Sequence, residues 1–473
     1  MNKKIILPIT AFFLTLGLVS CSTTQEYFQR QTTSAPVATM GSSSGVETAL
    51  NTNDSMWNDN ATTTWNRLQH TSLKTLETFS STDPNIQGWT KLAIISKRYS
   101  GSTAELVPQL IDWRQEYPNH PGNQLFPDNN TLTSLQSQLP PKKIALLLPL
   151  QGQFAASGKA VREGFLGGYY MALSKNQPVP TLSFYDTSTG DLNSLYHKAA
   201  SEGADMIVGP LLKDQVQVIS GQGSLPLPTI ALNYSNRWGS LPNNLYEFGL
   251  SPNDESTQLA DKAKQAGLSH ALLIAPESAW GRNVTKTLVA QWQAAGGTIV
   301  DTYYFTPTSN LAADIPRLLH INPKDDQDKM KTDNNRQDLQ KQRRQDFDVI
   351  FLLAQPVSAR QIVPLLHFYY VQDTPIYSTS VIYAGSRSPQ KDNDLNGVIF
   401  CDTPWTLTMS GNKMQSNRLY GVGRDAYLLS QGLNRMSQLP NFPIYGTTGA
   451  LTLTPQHQIY RRLAWAKFNE GQP

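Results

Sequence analysis

Cysteine is nearly absent: the 473 residues contain two, Cys21 and Cys401. If Cys21 is consumed by modification, Cys401 is left alone and no intramolecular disulfide can form, even in an oxidising compartment. Cys401 closes the apolar run GVIFC and reads as a buried core thiol. Charge is also scarce. Asp, Glu, Lys and Arg make up 16% of the chain, against roughly 25% in ordinary soluble domains. The formal net charge of +3 includes Lys3 and Lys4 near the amino terminus, so the remainder is close to neutral and lacks the concentrated basic surface that nucleic-acid binding demands. Catalytic and metal motifs are missing as well. The seven histidines, at positions 70, 120, 197, 270, 320, 367 and 457, show no H-x-H, H-E-x-x-H or Cys/His ligand spacing. No carboxylate pair can be nominated for acid–base work, so no catalytic residue, metal or cofactor is expected.

Two strings imitate enzyme motifs. Gly41-Ser42-Ser43-Ser44-Gly45 matches a nucleophile elbow, but it sits in a polar stretch without the strand-to-helix turn that would expose the hydroxyl. Gly421-x-Gly423-x-x-Ala426 resembles a dinucleotide loop, yet no strand leads into it and no acidic ribose partner is evident. It reads instead as the lead-in to a helix over 423–436.

The amino terminus is more informative. Lys3 and Lys4 precede IILPITAFFLTLGLV and then Leu18-Val19-Ser20-Cys21. The apolar run is too short for a stable span, and a small residue before cysteine is the bacterial lipoprotein processing pattern. Residues 1–21 are therefore read as a signal peptide ending at a lipidation site, Cys21. Several acyl chains at ~0.8 kcal/mol per buried CH₂ would hold such a protein firmly to a membrane. Ser22 follows, rather than the aspartate that retains lipoproteins in the inner membrane, so the outer membrane is expected. Residues 22–54, rich in Ser, Thr, Gln and Asn, read as a disordered tether with a root-mean-square span of ~30 Å and a stretched reach of roughly 110 Å.

Residues 55–139 read as a small helical region. Trp65, Leu68, Leu76 and Phe79 fit one amphipathic stripe, Trp89, Leu92 and Tyr99 a second, and Leu106, Leu110, Trp113 and Tyr117 a third. The last two helices, about 86–118, have the size of one tetratricopeptide-like hairpin. An isolated repeat cannot bury its face alone, so it is expected to dock on the body or on a partner.

Pro140-Pro141 opens the large domain. KIALLLPL (143–150) is a continuous apolar run, as a strand buried on both faces requires. A Gly-containing loop, a helix over 159–174, a strand LSFYDTS, a helix over 195–204 and the strand DMIVGPLLK follow. This βαβαβ order predicts a doubly wound parallel sheet whose loops open at the strand carboxyl ends. The pattern recurs after residue 251 with a helix over 254–266, HALLIAPES, a helix over 281–295, TIVDTYYF and DFDVIFLLA. Residues 323–346, charged and amide-rich without an apolar face, interrupt it as a solvated or disordered insertion or, by their position between core strands, as a partner-contacting loop.

IALLLPLQGQFAASGKAVREGF, FYDTS, IVGPLLK, SAWGR, SRSPQ, GRDAYLLS and GTTGALTLT resemble the outer-membrane lipoprotein activators of penicillin-binding protein 1A, the LpoA family. The likeness runs in order through most of 142–473. It implies an α/β, two-lobed type I periplasmic-binding-protein-like fold with three crossings between the lobes. Lobe one would be about 142–250 and 378–445, and lobe two about 251–377 and 446–473. On this reading PIYSTSVIYAG (375–385) and GVIFCDTPW (397–405) return to lobe one, and GTTGALTLTP makes the final crossing. The resemblance implies a non-enzymatic regulator whose partner is a class A penicillin-binding protein and whose output is peptidoglycan synthesis. The alternative is a periplasmic solute receptor that delivers an amino-acid-like ligand to an ABC importer. Candidate ligand or partner contacts are Gln151, Gly152, Ser157, Asp186, Thr187, Asn233, Trp280, Arg282 and Trp405. The neighbouring Gly158, Gly209 and Gly281 are equally explained by tight turns and close helix packing.

Overall fold

The computed structural model describes residues 50–235, 240–321, 343–369, 371–408 and 417–473. The signal peptide, Cys21, most of the expected tether and most of the 323–346 insertion lie outside them.

Five helices build the first region: α1 (Ala61–His70), α2 (Leu73–Thr78), α3 (Pro84–Arg98), α4 (Thr103–Glu116) and α5 (Asn129–Ser137). Each starts on a polar cap. Asn60, Ser72, Asp83, Ser102 and Asp128 accept from a backbone N–H two or three residues on. The cap at Ser72 splits the stripe expected from Trp65 to Phe79 into two helices, because its hydroxyl takes the Thr75 N–H at 3.0 Å and restarts the chain. Helices α3 and α4 form the anticipated hairpin. His120 wedges beneath it, donating from Nε2 to the Asn85 carbonyl at 2.9 Å and accepting from Gly122 N–H at 3.0 Å.

This region does dock on the body. Its core includes Leu439 and Phe442. The Trp65 ring packs 5.1 Å from Phe442 and its Nε1 donates to the Asn441 carbonyl at 2.7 Å. At the carboxyl end of α1 the Gln69 carbonyl accepts from Lys97 Nζ at 2.9 Å and Arg462 Nη2 at 3.0 Å. Two cations thus meet the negative end of the helix dipole.

Lobe one is a five-stranded parallel sheet of β1 (Lys143–Leu148), β2 (Thr181–Asp186), β3 (Met206–Val208), β4 (Ser224–Ala231) and β5 (Asn243–Glu247), ordered β2-β1-β3-β4-β5. Helices α6 (Ala155–Ser174), α7 (Leu192–Ser201) and α8 (Lys213–Ser220) connect the strands. Ile144, Leu146 and Leu148 face the core shared with α6, while Ala145 and Leu147 face α7 and α8. The unbroken apolar run of β1 is the consequence of that two-sided burial.

Lobe two contains β6 (His270–Pro276), β7 (Thr298–Phe305), β8 (Val349–Leu352), β9 (Ile376–Ser378) and β10 (Ile399–Asp402). Its helices are α9 (Pro252–Gln265), α10 (Ala279–Ala294), α11 (Leu311–Leu318), α12 (Pro356–Phe368) and the short α13 (Pro389–Asp392) and α14 (Pro404–Thr408). Here the structure corrects the expected lobe boundary. Strands β9 and β10 do not return to lobe one: β9 pairs parallel to β8 and β10 pairs parallel to β9. Ile376 and Phe400 enter the same core as Ile350 and Leu352 of β8, which fixes them in this sheet.

From lobe two the chain passes back to α15 (Arg418–Gln438), which packs along α6. Next come β11 (Ile444–Tyr445), β12 (Ala450–Leu453) and β13 (Ile459–Arg462), an antiparallel sheet of their own. Ile444, Leu451 and Ile459 enter the lobe-one core, so GTTGALTLTP is not the crossing itself. Only β14 (Ala464–Lys467) returns, closing the lobe-two sheet antiparallel to β10. Three links therefore join two doubly wound α/β lobes, the type I periplasmic-binding-protein-like arrangement.

Candidate functional site

The loops at the carboxyl ends of β1 and β6 are built alike. Gly158, in the first turn of α6, lies so close to β1 that an added Cβ would fall 1.9 Å from the Pro149 carbonyl oxygen. Gly281, in the first turn of α10, stands 2.1 Å from the Pro276 oxygen by the same measure. Gly209 combines φ +114 with a Cβ position 2.1 Å from the Leu147 oxygen. These glycines let helices and strands touch, and packing accounts for them.

The polar candidates of lobe one form one connected group. Asp186 Oδ1 accepts from Leu150 N–H at 2.8 Å, from Ser188 N–H at 2.9 Å and from the Ser188 hydroxyl. Gln151 N–H donates to Ser188 Oγ at 2.9 Å, and Gly152 follows with φ +70. Burial acts upward on the Asp186 carboxyl, but Ser188 and the Leu150 N–H outweigh it and hold the group below the usual carboxylate range. Gln215 Nε2 donates to the Thr187 carbonyl at 2.9 Å. Three atoms in this group are buried without a partner: Asp186 Oδ2, Thr187 Oγ1 and Gln215 Oε1. Ser157 lies half-buried on α6. Asn233, at the end of β4, spends its amide locally, donating to the Leu211 carbonyl at 3.1 Å and accepting from Tyr234 N–H at 3.0 Å.

The remaining candidates separate into different settings. Trp280 is exposed at the start of α10. Arg282 lies 3.7 Å over the Tyr304 ring and donates from Nε to Glu277 at 2.8 Å. Trp405 of α14 stacks on Tyr420 at 6.3 Å and has the Arg424 guanidinium 4.8 Å from its ring, while its backbone N–H donates to the Thr447 carbonyl at 3.1 Å. It is part of the joint between the lobes.

That joint holds most of the polar residues that sequence reasoning missed. Arg418 grips Asp402, with Nε to Oδ1 at 2.8 Å, and donates to the carbonyls of Ser380 and Tyr383 at 3.0 Å. Glu255, buried, accepts from Ser380 N–H at 2.9 Å and Ser380 Oγ at 3.0 Å. Burial pushes its carboxyl up, while Arg461 pulls it back. Arg461, also wholly buried, donates to the Gly249 carbonyl at 2.8 Å. The available signal was the presence of charge inside apolar strings such as IYRR, which a buried joint tolerates only when partnered.

GRDAYLLS and GTTGALTLT turn out to be two halves of one contact. The carboxylate of Asp425, on α15, accepts from Thr447 N–H at 2.6 Å, Thr447 Oγ1 at 2.7 Å, Thr448 N–H at 2.7 Å and Thr448 Oγ1 at 2.5 Å. Burial pushes it above the usual carboxylate range, and the threonine donors oppose that. Gly423 lies inside α15, where an added Cβ would meet the Val161 oxygen of α6 at 1.9 Å. The dinucleotide-loop reading is thereby excluded. Among the described residues no cluster of three or more His, Cys, Asp or Glu could hold a metal ion, and no helix is long and apolar enough to cross a membrane.

Comparison with known proteins completes the description. The family described as "LppC putative lipoprotein" matches residues 33–471. A relative from Photobacterium profundum named penicillin-binding protein activator LpoA is 28% identical over 435 residues, covering 87% of this chain and 69% of its own length. A solved structure of LpoA from Haemophilus influenzae is 25% identical with a TM-score of 0.58, covering 87% of this chain and 73% of that one. A branched-chain amino acid ABC transporter protein from Chromobacterium violaceum, 24% identical with a TM-score of 0.53 over 69% of this chain and 99% of its own, shares the fold. With its two binding-protein-like lobes and a family match spanning nearly all its length, the chain belongs to the LppC lipoprotein family, which includes the LpoA proteins.

Proposed function

We propose that this protein is a non-enzymatic activator, anchored to the periplasmic face of the outer membrane through lipidated Cys21. It binds a class A penicillin-binding protein and promotes peptidoglycan synthesis. The observation that carries this reading is the family match over residues 33–471, whose relatives bear the activator name. The structure adds support: Arg418, at the start of α15, holds Asp402 of the lobe-two strand β10, so an ion pair ties the lobes to each other. The signal-peptide pattern ending at Ser20-Cys21 supports the anchor.

The test uses residues 22–473, because the helical region shares its core with Leu439 and Phe442 and its removal would expose that face. Added to the class A synthase of the same organism, this protein should bind it and raise the glycan-polymerising rate without metal or nucleotide. No binding and no stimulation by any class A synthase would sink the proposal. Trp280→Ala and Arg282→Ala are the informative truncations, since both residues are solvent-facing and aromatic and arginine anchors dominate such interfaces. Trp405→Ala should destabilise the joint as well, so it reports less cleanly. For the anchor, Cys21→Ser should abolish incorporation of labelled fatty acid and release the protein from membranes.

A solute-receptor reading is favoured by one observation: Asp186 Oδ2, Thr187 Oγ1 and Gln215 Oε1 are buried without partners beside the β1 loop. A ligand with hydrogen-bond donors would satisfy them. A thermal-shift screen against amino acids decides the matter. A binder at 100 times its dissociation constant adds ~2.7 kcal/mol of stability, and a clear shift would promote the receptor over the activator.

A further inference from the structure

A groove of about 500 Å³ runs along lobe two between α10 and the edge strand β7. Arg282, Thr285, Lys286, Val289, Ala290 and Gln293 line it. Their spacing of three and four residues places them on one face of α10. Tyr304 of β7 forms the opposite wall, with the Arg282 guanidinium 3.7 Å over its ring. Three features of this groove call for a ligand of one kind.

The lining contains two cations and no carboxylate. Glu277 neutralises Arg282 through Nε and Nη2. Lys286 is exposed and has no ion-pair partner among the described residues. Thr285 is the unusual member. A helical threonine normally returns its hydroxyl to the carbonyl four residues earlier, as Thr90 does to Ile86 at 2.8 Å and Thr257 to Asn253 at 3.2 Å. The Thr285 hydroxyl is buried yet makes no hydrogen bond. A buried hydroxyl without a partner costs roughly 1–3 kcal/mol, and an acceptor seated in the groove beside Lys286 would recover it. Val289, Ala290 and the Tyr304 ring offer apolar contact next to these donors.

We infer that this groove docks an acidic peptide segment of the protein partner. A carboxylate side chain would be taken by Lys286 and Thr285, with Arg282 at its edge, and apolar neighbours of that side chain would lie on Val289, Ala290 and Tyr304. The inference rests on the activator reading for the source of the peptide, but its chemistry is tested separately.

The probe is the peptide fluorescein-Leu-Glu-Leu-Glu-Leu-amide, labelled at its amino terminus and titrated with residues 22–473 by fluorescence anisotropy. It should bind, and the Gln-for-Glu peptide should bind at least tenfold more weakly. Lys286→Glu should weaken binding at least tenfold, and Thr285→Val, which keeps the shape, several-fold. Lys213→Glu, an equal charge change at the exposed start of α8, should leave it unaltered. Equal binding of the Gln peptide, an unaffected Lys286→Glu variant or no anisotropy change up to millimolar protein overturns the proposal. In parallel, Lys286→Glu should lower affinity for the synthase. Peptide binding without any response from a synthase would retain the groove and remove the activator reading. Synthase binding indifferent to Lys286→Glu would do the reverse.

Discussion

Replacing Asp425 by Asn changes one atom and tests whether the joint between α15 and the GTTGA loop holds the fold. The carboxylate is wholly buried and has four donors at 2.5–2.7 Å, two backbone N–H groups and two threonine hydroxyls. An amide keeps one acceptor and turns the other into NH₂, which faces a backbone N–H and a hydroxyl. The hydroxyl can rotate to accept, but the N–H cannot. One buried N–H left unmade costs roughly 1–3 kcal/mol, and the lost charge assistance on the second pair adds to it. Against this stands the desolvation of the carboxylate, evident in its raised pKa, which Asn relieves. The losses involve four contacts and the relief one group, so the net cost at pH 7 should be about 2–3 kcal/mol. Asp425→Ala, which leaves all four donors bare, should cost about 3–5 kcal/mol. Urea unfolding reads the change as a lowered midpoint at constant slope, and hydrogen exchange at Thr447 and Thr448 localises it. An Asp425→Asn protein with the wild-type midpoint and unaltered exchange at those amides would refute the reasoning.

Gly423→Ala drives a methyl to within 1.9 Å of a backbone oxygen and should cost about 3 kcal/mol, the upper end for overpacking; Gly101→Ala, with nothing within 4 Å, is its control and should melt within a degree or two of wild type. Trp65→Ala removes a fully buried ring and its bond to Asn441, a loss of about 3–5 kcal/mol, so limited proteolysis should cut within 50–139 first and spare the two lobes. His70 is pushed down to about 4 by burial of its ring and then by Arg462, with Lys97 and Lys262 acting the same way, although the residue as a whole is exposed and solvent screens part of that effect. Its folded pKa lies below the unfolded value near 6.5, so the unfolded chain takes the proton first. Its stabilising share is complete above that value and is lost as pH falls toward 4. Melting temperature should fall between pH 7 and pH 5, and His70→Asn should flatten that slope.

How much of this was legible in the sequence depended on whether a residue's own neighbourhood decided its place. Strand β7 could be read to the residue because TIVDTYYF is bounded by Gly296-Gly297 and a proline turn; β1 was visible in its unbroken apolar run, though it stops at Leu148 rather than at Leu150. The α3–α4 hairpin was visible in its tryptophan and leucine spacing. Sheet membership was not. Strands β9 and β10 are short and apolar on both faces, so nothing within residues 375–402 says which of two similar sheets receives them. Only Ile376 and Phe400 packing with β8 does. The same limit applied to the candidate contacts. Gln151 and the Asp186-Thr187 pair were placed at the ends of two strands, because βα loops follow their strands in order; that Ser188 would link them was not legible. That Asp186 would give one oxygen to Leu150 and Ser188 and leave the other bare was invisible. Arg282 could be nominated from its aromatic neighbour Trp280, yet the ring it covers is Tyr304, from the next strand. The strings that carried the family resemblance mark a further distinction. GRDAY and GTTGA meet as a carboxylate and its four donors, and Gly423 meets Val161 where no side chain fits. Such residues are constrained by the contacts they close, so similarity there reports how α15 is held against α6 and the GTTGA loop. Thr285 and Lys286 lie outside those strings, whereas Arg282, at the edge of the same groove, closes SAWGR.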